Sequence, residues 1–124
     1  MLKKKMKKEN VVQQKAYRFA LRMINLYRVL KGRKEYILSA QIVRSGTSVA
    51  ANLEEALGGM SRKDFLAKVS IAYKEIRETN LWIRLLRDSS IISPKEAESL
   101  LRDCEELVKL IGSIKKTTQS TLKK

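Results

Sequence analysis

Apolar residues recur at spacings of three, four and seven along most of the chain, the period of helices that bury one face. In the first such segment, about 11–31, Val12, Ala16, Phe19, Met23, Leu26 and Leu30 share a stripe. Gly32 follows, at the position where helices commonly end in a left-handed residue. A second segment, from about residue 35 to Leu57, turns Leu38, Ile42, Val49, Leu53 and Ala56 inward before Gly58-Gly59 stops it. The third opens on Ser61-Arg62-Lys63-Asp64, a capping-box pattern with Asp in place of Glu. Phe65, Val69, Ala72, Ile76, Thr79, Ile83 and Leu86 then carry its inner face towards Asp88. The fourth begins at Ser93-Pro94-Lys95-Glu96, where Ser93 can cap, Glu96 can reach back, and Pro94 sits where its missing N–H costs nothing. From there Ala97, Leu100, Leu101, Cys104, Leu107, Val108, Ile111 and Ile114 repeat until about Thr117.

The links near residues 32–35, 58–60 and 89–93 are only a few residues long, which makes successive helices antiparallel neighbours. The pattern therefore predicts an all-α protein, an antiparallel up-down-up-down four-helix bundle over residues 10–117. The lysine-rich ends, 1–9 and 118–124, are expected to be basic disordered tails.

Two helices carry more than a core demands. Opposite the inner face of the third lie Ile71, Leu81, Trp82 and Leu85, with Ala67, only partly diluted by Lys74 and Glu78. Such a patch suits a subunit interface and predicts a homo-oligomer; a twist of the helix or cover by the tails would hide it instead. On the second helix Arg44, Ser48, Asn52 and Glu55 form a polar stripe among small residues Ser45, Gly46, Thr47, Ala50 and Ala51. Small residues let another helix approach closely, so the stripe reads as a polar seam between helices or subunits; contact of Asn52 and Glu55 with a ligand is the other reading.

Composition narrows the chemistry. The 124 residues include no histidine and one cysteine, Cys104. That removes His-based general acid–base and triad catalysis and most zinc or iron sites, and it forbids an intrachain disulfide. Adjacent carboxylates in Glu54-Glu55 and Glu105-Glu106 point about 100° apart on a helix and do not converge. No catalytic residue, metal ligand or cofactor is expected. No run reaches the ~20 apolar residues of a membrane span, and the start lacks the apolar stretch of a secretory signal, so a cytoplasmic setting is expected.

The net charge is +14, unevenly placed: residues 1–34 hold 12 Lys/Arg against the single Glu9, and the rest of the chain is close to balanced. On the first helix Lys15, Arg18 and Arg22 form a stripe beside the apolar face, and Arg28, Lys31, Arg33 and Lys34 load its far end. These are candidate phosphate-backbone contacts to RNA or DNA, with affinity from counterion release. Tyr17 and Tyr27 read as packing rather than base-stacking residues. Two functions stay open: an oligomeric nucleic-acid-binding protein, or a structural adaptor for another protein in which charge serves solubility. Membrane binding by the first helix is set aside because the core needs its apolar face.

The stretches Arg44-Ser-Gly-Thr-Ser48-Val-Ala-Ala-Asn52-Leu-Glu-Glu55-Ala56, Ser61-Arg-Lys-Asp64-Phe65 and Ser70-Ile-Ala-Tyr-Lys-Glu75-Ile-Arg-Glu78-Thr79 resemble the four-helix-bundle family of 23S rRNA intervening-sequence proteins. The resemblance spans roughly Ala16 to Ile114. It implies a cytosolic bundle without enzymatic activity that assembles as a homopentamer and is also labelled ribosomal protein-like. Relatives beside the reverse transcriptases of diversity-generating retroelements are basic and bind nucleic acid. The lysine-rich start is not part of that pattern.

Overall fold

The computed structural model describes residues 2–123, and their side chains from Lys8 onward. Four helices account for nearly all of it: α1 Leu2–Gly32, α2 Ile37–Leu57, α3 Arg62–Asp88 and α4 Pro94–Leu122. α1 packs on α2, α2 on α3 and α3 on α4, while α4 closes on α1 through a thinner contact. Cross-helix pairs run in opposite chain directions, Ser45 with Thr79 and Glu55 with Lys68 between α2 and α3, for instance. The bundle is thus antiparallel and all-α.

Caps set the helix starts that the sequence announces. Ser61 Oγ accepts a bond from the Asp64 backbone N–H at 3.1 Å. At α4 the full capping box forms: Ser93 Oγ accepts from Glu96 N–H at 3.1 Å, and Ser93 N–H donates to Glu96 Oε1 at 2.9 Å. That backbone bond, helped by Arg33, holds the Glu96 carboxyl below its ordinary range. The cap therefore contributes above the usual carboxylate pKa and weakens as pH falls through the depressed one.

The core fills the axis with Val12, Phe19, Met23 and Leu30 of α1, Ile42 and Val49 of α2, Val69, Ile76, Ile83 and Leu86 of α3, and Leu107 and Ile111 of α4. Where α1 meets α2 the helices come unusually near: a Cβ placed on Gly46 would lie 2.2 Å from Met23 Cγ. Buried Ser45 and Thr79 share a hydrogen bond of 2.8 Å at the α2–α3 contact, satisfying both hydroxyls inside the core.

Three features depart from the sequence reading. α1 starts at Leu2 and α4 continues to Leu122, beyond the helix limits near residues 11 and 117 that the periodicity predicts. Their phase keeps the core face going with polar residues: Glu9 is buried and paired to Arg62 at 3.2 Å, and Thr118 is buried with its hydroxyl on the Ile114 carbonyl. The side chains of the lysine run before Lys8 lie outside the described residues. Gly32 is the last helical residue of α1, and the left-handed conformation falls on Lys34, with φ 63°; Ser90 adopts the same φ in the α3–α4 link.

Cys104 is buried, with its thiol against the Ile76 carbonyl, and burial pushes it up to about 12. A disulfide reagent at pH 8 should leave it untouched in the folded protein and label it on unfolding. Since the unfolded thiol ionises near 9 and the folded one near 12, stability should fall as pH climbs between them.

Candidate nucleic-acid interface

The expected basic stripe on α1 divides in two. Lys15 pairs with Glu106 at 3.1 Å, Arg22 with Asp103 at 2.6 Å, and Arg33 with Glu96 at 3.1 Å. Arg22 also donates to the Ser99 carbonyl and hydroxyl, and Arg33 to the Ile91 carbonyl. These three cations stitch α1 to α4, the most sparsely packed pair of neighbouring helices, and their charge is largely matched by α4 acids. Exposed pairs of this kind contribute roughly 0–1 kcal/mol each, so they align the helices more than they hold them. Arg18, Arg28, Lys31 and Lys34 remain exposed, with no carboxylate within ion-pair distance among the described residues; Lys31 sits 5.2 Å over the Tyr27 ring.

Sequence reasoning missed a second basic surface. Between α3 and α4 a groove of about 630 Å³ is lined by Lys74, Arg77, Arg84 and Lys109, with the acids Glu78 and Glu105 and the apolar Leu81 and Val108 among them. The signal was available as basic residues at 74, 77 and 84, but the apolar stripe on the same helix obscured it.

Three of the four expected interface residues, Ile71, Leu81 and Leu85, stay exposed within about 80° of one another on α3. Leu81 lines that groove. Trp82, one position and about 100° further round, packs half-buried against the core, its Nε1 buried without a partner. Ile71 and Leu85 stay 41% and 43% exposed. The α2–α3 register set by Arg44 with Glu78 and Ser45 with Thr79 brings the exposed Ile37 to the level of Leu85. On α1, Tyr17 and Leu21 are 61% and 52% exposed, so Tyr17 does not pack as expected. Leu21 falls opposite the core face, a second apolar surface that a search for one stripe per helix overlooks.

The polar stripe of α2 runs along its contact with α3. Arg44 reaches the buried Glu75 at 3.4 Å and Glu78 at 2.5 Å, and Glu55 meets Lys68 at 3.1 Å. Asn52 turns back on its own helix, donating to the Ser48 carbonyl at 2.8 Å and hydroxyl at 3.0 Å. Among the described residues no three His, Cys, Asp or Glu side chains converge as metal ligands would, and no helix is long and apolar enough to cross a membrane.

Fold and surface together define a small, basic, antiparallel four-helix bundle. The chain belongs to the 23S rRNA-intervening sequence protein family, whose model matches residues 8–113. It is similar to a crystal structure of a protein of unknown function from the S23 ribosomal protein family of Bacteroides thetaiotaomicron, at 44% identity and a TM-score of 0.85, covering 88% of this chain and 98% of that one. No curated protein matches it.

Proposed function

We propose that this chain is a non-enzymatic, cytoplasmic, oligomeric protein that binds nucleic acid, RNA foremost, by its phosphate backbone. The observation that carries the reading is a net charge of +14 on a small bundle whose Arg18, Arg28, Lys31 and Lys34 stand exposed without carboxylate partners. The resemblance to basic, nucleic-acid-binding relatives of its family supports nucleic acid as the ligand. Self-association is supported by the apolar Ile37, Ile71 and Leu85 left on the α2–α3 side, and the family resemblance suggests a pentamer. The adaptor reading keeps one specific support, the outward Tyr17 and Leu21, which suit a protein partner.

An anisotropy titration with a structured RNA and a duplex DNA at low salt tests the binding. Saturation near the micromolar range or tighter is expected, as for backbone-driven contacts. Absence of binding to either would remove the nucleic-acid reading and leave the adaptor. For the assembly, sedimentation should return a multiple of the 14.2 kDa protomer, reverting to one protomer in Ile71→Lys/Leu85→Lys. A wild-type protein that sediments as a single protomer contradicts it.

A further inference from the structure

The helical extensions at the two chain ends meet at one end of the bundle. Glu9, Leu57, Phe65 and Ile114 line a common small cavity, which places α1, α2, α3 and α4 at one level there. Beyond that level α2 turns back through residues 58–61 into α3, and only α1 over 2–8 and α4 over 115–122 continue. At 1.5 Å per residue each projects by roughly 10 Å. Two described contacts fix the base of this pair: Lys8 Nζ to Ser113 Oγ at 2.8 Å, and Glu9 to Arg62 at 3.2 Å, with Arg62 stacked 4.0 Å from the Phe65 ring centroid.

The sequence of these two ends carries charge of one sign. Lys3, Lys4, Lys5, Lys7 and Lys8 precede Glu9, and Lys115, Lys116, Lys123 and Lys124 follow Glu106, the last acid of the chain. Nine of the net fourteen positive charges thus belong to the two chain ends, and the lone acid at the base of the pair, Glu9, is already matched by Arg62. Elsewhere on the bundle, Lys15, Arg22, Arg33, Arg44 and Lys68 are paired with acids, and the unpaired Arg18, Arg28, Lys31 and Lys34 are spread along α1 and its far end. A convex, acid-free prong concentrates positive potential and releases the most counterions per contact with a polyanion.

We propose that this two-helix basic prong is the principal contact with the nucleic-acid phosphate backbone, a proposal that rests on the nucleic-acid reading above. The prong lies almost wholly outside residues 8–113, the stretch that the family model matches. A phosphate backbone suits it better than a lipid surface. Leu2, Met6 and Leu122 are the only aliphatic side chains within 2–8 and 115–122, too few to anchor in a bilayer.

The test compares two full-length variants of equal net charge. Lys4→Glu/Lys7→Glu/Lys116→Glu reverses the prong, and Arg87→Glu/Lys95→Glu/Arg102→Glu reverses three cations at the opposite end. Circular dichroism confirms that both fold. On the same structured RNA, the prong variant should bind at least tenfold more weakly than the opposite-end variant. Equal affinities in the two variants, with wild type binding well, would overturn the prong while leaving the nucleic-acid reading intact. A wild type that ignores RNA, or that sediments only with anionic vesicles, would remove both.

Discussion

Replacing Gly46 with alanine should destabilise the protein by about 2 kcal/mol, against the gain of up to about 1 kcal/mol that alanine brings to an ordinary helix interior. The sign is set by distance. The new methyl would lie 2.2 Å from Met23 Cγ and 2.9 Å from Met23 Cβ. The Cβ cannot swing aside as a side-chain tip could, so α1 and α2 must part along their whole contact. Gly32 supplies an internal control: nothing lies within 4 Å of a Cβ placed there, and its φ is not positive. Gly32→Ala should be neutral or mildly stabilising. Denaturant unfolding of both variants decides the matter, and Met23→Ala in the Gly46→Ala background should restore part of the loss. A stabilised Gly46→Ala would mean that α1 and α2 do not approach as closely as described.

Removing Arg62 should cost about 2–3 kcal/mol, because it strands the buried Glu9 carboxylate. The estimate is kept below the usual range for a broken buried pair since Arg62 itself is partly exposed. Arg62→Ala should therefore be more damaging than the double variant Glu9→Leu/Arg62→Ala, which leaves no charge unpaired. The cycle read by urea midpoints tests this. Equal destabilisation in the single and double variants would show that Glu9 gains nothing from Arg62. The same pair anchors the first turns of α1, so hydrogen exchange at the α1 start should quicken in the single variant.

These two sites also show where sequence reasoning reaches and where it stops. The starts of α3 and α4 were legible because caps are local: Ser61 and Ser93 find their partners three residues on. Most apolar inward residues of the four helices followed from periodicity alone, whereas buried Ser39, Ser45 and Glu75 did not. The start of α1 was not legible, because the core face passes from Val12 to Glu9, and the group that makes a buried glutamate tolerable lies 53 residues away. The end of α4 failed for a similar reason, with Thr118 continuing the spacing of Ile111 and Ile114 in a polar residue.

The basic surface was half legible. Its residues were countable, but which of them keep their charge free depends on the α1–α4 register, which pairs Lys15, Arg22 and Arg33 with Glu106, Asp103 and Glu96. No local pattern reveals that match. Small residues around Gly46 did signal a close helix approach, and Met23 is where it occurs.

The central claim is that surplus, unpaired positive charge is what this bundle uses to hold its ligand. The dependence of affinity on salt measures that charge directly, since each phosphate neutralised adds close to one unit of slope. Plotted as log K against log salt for a structured RNA, wild-type affinity should fall with a slope of about −3 or steeper, as four or more phosphate contacts would give. A slope near zero would contradict the account.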